Sequence, residues 1–203
     1  MWYSIVITVL VGYMLGNLNG AICMSALMHD DVRSHGSGNA GLTNFVRNYG
    51  AGRAIYVILI DAGKAVLACL VGGLLLRTDL DYQTGAAIGG VSVMAGHVCP
   101  ALLGFKGGKG ILSGLFIALM VDWRIGLIIL GVFAVAYLLT QYVSLGSVLA
   151  SAAFSVCFAI FHYERIVVMI CGVVMGLLAL YMHRGNIVRL VKGQERKTNL
   201  FKK

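Results

Sequence analysis

The sequence predicts an all-α integral membrane protein of about seven transmembrane helices, with its functional residues on the cytoplasmic side. Three observations carry this. Hydrophobic residues make up 59% of the 203 residues and charged residues only 12%, with a mean hydropathy of +0.88. A soluble globule carries about 45–50% apolar and about 25% charged residues. The charges fall almost entirely between long apolar runs, and the basic residues are shared unequally between the two sets of connections. At this length one helical membrane domain over residues 1–203 is the natural count, with a basic tail from about residue 184.

A spanning helix needs about 20 mostly apolar residues. The first run extends from about Trp2 to Met28, and no acidic or basic side chain other than histidine precedes Asp30. It lacks a basic leader and reads as a retained span. The second covers about Ala54–Leu76, and the third about Thr84–Leu103, with Pro100 ending or kinking it. The fourth, about Gly110–Val121, is short, so it is re-entrant, enters below the surface or is lengthened by the Gly-rich stretch before it. The fifth, sixth and seventh cover about Ile125–Tyr142, Leu145–Tyr163 and Ile166–His183. Six spans is the alternative to seven.

Seven spans place residues 29–53, 104–109, 143–144 and the C-terminus on one side, with twelve Lys and Arg among them, Lys202 and Lys203 included. The other side holds only Arg77, Arg124 and Arg165. The first side is therefore cytoplasmic and the N-terminus outside. The net charge of +8 follows this asymmetry and reads as attraction to anionic lipid, not to nucleic acid. None of the five cysteines has metal-ligand spacing, and they read as small buried hydrophobes.

Four polar clusters interrupt the apolar pattern, all on the cytoplasmic side. Residues 36–47 combine three glycines, Ser37, Asn39, Thr43, Asn44 and the forked cation of Arg47, which is equipment for gripping phosphate. His97 and Pro100 precede Lys106-Gly107-Gly108-Lys109-Gly110, where two ammonium groups bracket paired glycines at a helix start. It is not a P-loop, because Gly110 stands where a magnesium-binding Ser or Thr belongs. The third cluster contains Ser144 and Ser147. The fourth contains His183, Asn186, Arg189 and Glu195, with His183 and Asn186 one turn apart. Inside the second span, Asp61 and Lys64 share a helical face and read as a structural or positioning ion pair.

On the residues alone, three functions stay open. An anion transporter would suit the intramembrane pair and the short fourth span. A lipid-binding structural protein would explain the basic tail. An enzyme of lipid chemistry needs one polar mouth at the interface, which the one-sided clusters and plain outer connections supply.

The combination Gly-Ser-Gly-Asn-x-Gly-x-Thr-Asn-x-x-Arg (36–47), Asp61 with Lys64, Phe-Lys-Gly-Gly-Lys-Gly (105–110), Tyr142–Ser147 and His183–Glu195 resembles the bacterial acylphosphate:glycerol-3-phosphate acyltransferases of the PlsY type. The resemblance covers nearly the whole chain. Departures are Leu42 for a usual alanine, Ala65 for a usual glycine, and Ile111-Leu112-Ser113 for Val-Ala-Thr. The resemblance implies a seven-span inner-membrane fold with a cytoplasmic active site. It implies transfer of a fatty acyl group from acyl phosphate to the sn-1 hydroxyl of glycerol 3-phosphate, giving lysophosphatidic acid and phosphate. No cofactor, metal, nucleic acid or obligate protein partner is implied. The expected catalytic residues are Ser37, Arg47, Lys109 and His183. Gly38, Asn39, Thr43, Asn44, His97, Lys106, Gly107, Gly108, Ser144 and Asn186 are expected to bind substrate. His183 is the base, or it orients substrate while a phosphate oxygen takes the proton.

Overall fold

The computed structural model describes residues 1–198, so Lys202 and Lys203 of the basic tail lie outside the described residues. Every regular element among the described residues is a helix. α1 (Trp2–Gly16) and α2 (Gly20–Ala26) meet at 44°. The expected first span is therefore broken, and Asn19 is the local cause. Its backbone is extended, and its side-chain oxygen accepts the Ile22 N–H at 3.1 Å. An asparagine that caps a new helix competes with continuation of the old one. α3 (Leu42–Tyr49) is a short helix that buries Phe45 against Val32, Ala40 and Val57.

The long helices are α4 (Ala54–Leu76), α5 (Tyr82–Val98), α7 (Trp123–Thr140) and α8 (Val143–Phe161). Asp81 caps α5 and Asp122 caps α7, each accepting a backbone N–H. α5 ends before Pro100 and runs into a 3₁₀ turn, Ala101–Leu103. α9 (Ile166–Met182) bends by 54° at His183 into α10 (Arg184–Val191).

Among the described residues, four segments are long and apolar enough to cross a membrane alone, and the two bent pairs, if each is one span, raise the number to six. α6 (Ile111–Val121) has 11 residues and reaches only about 16 Å. The fourth expected crossing is thus a short helix, and length and hydropathy by themselves pick out four to six crossings among the described residues, α6 not among them. The protein is an all-helical integral membrane protein.

α1, α4 and α5 pack tightly through small residues. A methyl group added at Gly72 would lie 2.2 Å from the Gly85 carbonyl oxygen, and the reverse also holds. Such backbone contact is how helices gain packing energy where lipid offers no hydrophobic drive. α7, α8 and α9 form a second group, and α6 fits between α4 and α7. Met94, Ile117, Phe154 and Met175 join the two groups in one core. Ala65, a departure from the family pattern, is fully buried in it.

Candidate active site

The loop before α3 is built by Asn44. Its Nδ2 donates to the carbonyls of Val32 and His35, both at 3.0 Å, and its Oδ1 accepts the Ser37 N–H at 3.0 Å. Asn48 adds a further donor at 3.2 Å. Gly36 has φ +59°, and a side chain there would strike the Asn44 oxygen at 2.5 Å. Glycine is needed on both counts. Asn44, expected to hold substrate, borders the cavity described below, but its amide is already fully used in shaping the loop. The result is to present Ser37, Asn39 and Thr43 on one rim and Arg47 a turn further on.

The glycines of the lysine loop have a packing cause. A methyl group on Gly107 would lie 2.0 Å from the His97 carbonyl oxygen. One on Gly108 would lie 2.2 Å from His97 Nε2. The Gly108 N–H donates to the His97 carbonyl at 3.1 Å, so it is not free to cradle an anion. Gly110, with φ +79°, starts α6, and Gly110, Ile111 and Leu112 face the cavity. The first N–H groups of a helix have no partner within it. The end of this loop that turns N–H groups and a cation towards the cavity is thus the α6 N-terminus with Lys109, and the paired glycines pack against His97.

Asp61 and Lys64 explain how a broken helix survives in the membrane. Lys64 Nζ lies 2.7 Å from Asp61 Oδ1 and donates to the carbonyls of Leu18 at 2.5 Å and Gly16 at 3.4 Å. Asp61 Oδ1 accepts the Gly20 N–H at 3.1 Å. The cation thus satisfies the end of α1, and the anion satisfies the start of α2. Lys64 also donates to His97 Nδ1 at 2.7 Å, which leaves the His97 proton on Nε2. The pair is structural, as the sequence suggested, and it anchors His97. Ser113, another departure, donates its hydroxyl to the Asp61 carbonyl at 3.2 Å.

These elements enclose a cavity of about 560 Å³ with two unlike ends. The polar end gathers Ser37, Asn39, Thr43, Arg47, Lys109, Ser144, His183 and Asn186. The apolar end runs between α6, α7, α8 and α9 past Leu115, Leu130, Phe133, Phe154 and Met175. His183 is buried, and its Nδ1–H donates to the Ala179 carbonyl at 2.8 Å. The bare Nε2 is then an acceptor. Lys109 donates to Asn186 Oδ1. The Ser144 hydroxyl is buried and has no hydrogen-bond partner among the described residues. A buried hydroxyl on a cavity wall with no partner marks a place where a ligand atom fits.

Three expected substrate ligands stand apart. Gly38, Lys106 and Gly107 line a separate cavity with Asp31, Arg33 and Leu103. Lys106 is exposed there, because its loop turns outward at Phe105, which has φ +60°. Gly108 packs on His97 and does not line the main cavity.

Asp61, Arg189, Glu195 and Arg196 do line it, although sequence reasoning left them off the site. Glu195 had one signal, as a single acid in a basic tail. Arg189 lies on the helical face of His183 and Asn186. Burial lowers the Lys109 ammonium to about 8, with Arg189 and Arg184 adding to the fall and Glu195 opposing it.

The family model described as "Glycerol-3-phosphate acyltransferase" matches residues 6–193. A glycerol-3-phosphate acyltransferase from Thermoanaerobacter sp. (strain X514) is 38% identical over 193 residues, covering 95% of this chain and 94% of its own. The crystal structure of PlsY (YgiH) in its glycerol 3-phosphate form superposes with a TM-score of 0.87 at 29% identity, covering 98% of this chain and 100% of that one. The lysophosphatidic acid form of that enzyme superposes at 0.83, again at 29% identity, covering 97% and 96%. Likeness of sequence along almost the whole length, on a shared helical frame, makes this chain a member of the PlsY-type glycerol-3-phosphate acyltransferase family.

Proposed function

We propose that the protein transfers a fatty acyl group from acyl phosphate to the sn-1 hydroxyl of glycerol 3-phosphate, giving lysophosphatidic acid and phosphate. The observation that carries this is the two-ended cavity, with cations and hydroxyls at one end and an apolar groove at the other. A phosphorylated head with a hydrocarbon tail fits both ends at once. The glycerol 3-phosphate and lysophosphatidic acid forms of the related PlsY support the same substrate and product. The positive-inside distribution supports a polar mouth on the cytoplasmic face of the bacterial inner membrane, with the N-terminus outside.

The acyl carbon of acyl phosphate is already activated, so no covalent enzyme intermediate is needed. The sn-1 oxygen attacks that carbon, the bond from the acyl carbon to the phosphate oxygen breaks, and phosphate leaves. Ser37, Arg47, Lys109 and the α6 N-terminus neutralise the two phosphates and the developing oxyanion. His183 Nε2 accepts the hydrogen bond of the attacking hydroxyl, with Asn39, Thr43, Ser144 and Asn186 around it. The protein in detergent should release phosphate from acyl phosphate only when glycerol 3-phosphate is added. No release, or release independent of glycerol 3-phosphate, would overturn the function.

The pH dependence follows from Lys109. Below about 8 the free enzyme holds the ammonium, and above it the cation is lost. We expect kcat/KM to fall as pH rises through about 8, since that ratio reports free-enzyme groups. Bound phosphate favours the charged form, so the limb in kcat lies higher. Lys109→Arg should remove the limb from the range below pH 10. The same profile for His183→Asn identifies the proton acceptor: loss of the acidic limb makes His183 the base, and its retention assigns the proton to a phosphate oxygen.

A further inference from the structure

Residues Gln194–Thr198 have no regular structure, yet they are tied down at both ends. Glu195 is 7% exposed at its side chain. One carboxylate oxygen accepts from Asn186 Nδ2 at 3.0 Å, and the other accepts from Arg189 Nε at 2.7 Å. Three residues on, Thr198 is buried. Its N–H donates to the Gln141 carbonyl at 3.0 Å, and its carbonyl accepts from the Tyr137 hydroxyl at 2.9 Å. Its hydroxyl accepts from Arg47, which also reaches the Arg196 carbonyl at 3.5 Å. The segment therefore straps the cavity mouth from α10 to the corner between α7 and α8, with Gln194, Glu195 and Arg196 on the cavity wall.

The strap decides what Lys109 meets. A carboxylate only accepts hydrogen bonds, so Glu195 forces the NH₂ of Asn186 towards itself. The other end of that amide, the oxygen, then faces the Lys109 ammonium. A flipped amide would aim two N–H donors at a cation and leave the carboxylate facing an oxygen. Glu195 thus acts on Lys109 through Asn186, without needing to bond it.

We propose that Gln194–Thr198 is a positioning element of the acyltransferase site. In it, Glu195 is the positioning residue that aims Lys109 through Asn186, and Thr198 holds Arg47. This rests on the proposed roles of Lys109 and Arg47 as the phosphate clamp.

The test is steady-state kinetics of full-length Glu195→Ala and Glu195→Gln from pH 6 to 10, beside Lys109→Ala. The charged and titratable groups around Lys109 are His183 at the end of α9, Arg184 and Arg189 on α10, and Glu195 on the strap. Removing the carboxylate removes the influence that favours the ammonium. Glu195→Ala should lose about 10–100-fold in kcat/KM, the size of loss seen when a partner that orients a metal-ligating side chain is removed. Its alkaline limb should move to lower pH. Glu195→Gln restores an acceptor for Asn186 but no charge, so it should recover most of kcat/KM and keep the displaced limb.

An unmoved limb with kcat/KM within twofold of the native protein would overturn the proposal. So would a loss of activity that follows a loss of thermal stability while the limb stays in place. If Glu195→Ala does not fold, the limb in Glu195→Gln decides. Activity retained in Lys109→Ala would instead sink the clamp itself. An inactive Lys109→Ala beside a normal Glu195→Ala would sink only the strap.

Discussion

Lys109→Ala is expected to lower kcat by about 10²–10³-fold, the effect of removing one preorganised group that stabilises transition-state charge. The loss should appear in kcat more than in KM, because the charge shifts onto the leaving phosphate only as the acyl bond breaks. Arg47→Ala should behave alike. Neither change empties a packed core: Lys109 is half-buried and Arg47 is exposed at the mouth. Thermal unfolding in detergent should therefore stay close to that of the native protein. Near-native turnover in either purified variant would remove the phosphate clamp from the mechanism.

The largest effect on stability is expected at Lys64→Met. Asp61 and Lys64 are 3% and 2% exposed at their side chains. Removing one partner of such a buried pair costs about 3–5 kcal/mol, because the other charge is left uncompensated. Here the carbonyls of Gly16 and Leu18 lose their donor as well. The double variant Asp61→Leu with Lys64→Met should recover part of the loss. It should not recover all of it, since the Gly20 N–H and those carbonyls would still lack partners. A single variant as stable as the native protein, by thermal unfolding in the same detergent, would show that the helix break does not depend on the pair.

The membrane character and the spans were legible because burial in lipid is a property of composition over about 20 residues. The second, fifth and sixth spans lie within a few residues of α4, α7 and α8. The first was not legible as two helices. Asn17 and Asn19 interrupt the apolar run only briefly, and the Asn19 cap with its distant partners is what makes them a break. The short fourth span is visible in the sequence as too few apolar residues, and α6 remains that short.

By itself the sequence determined the class of protein, the family and the types of side chain that meet at the cavity mouth. Residue type is enough for this: a guanidinium or an imidazole has its chemistry wherever the chain puts it. Only the tertiary structure decided which groups are free to act. Asn44 and His97 have the same donors and acceptors as Asn186 and His183. Asn44 spends its amide on loop carbonyls and the Ser37 N–H, and His97 spends Nδ1 on Lys64 and keeps only its Nε2–H, while His183 keeps Nε2 open and Asn186 turns its oxygen to Lys109. Gly108 similarly owes its identity to a contact with His97, and Glu195 its importance to a tail folded back over the mouth. Hydrogen-bonding capacity is limited and is allotted by contacts between residues far apart in the chain, so the free groups become apparent only once all those contacts are made.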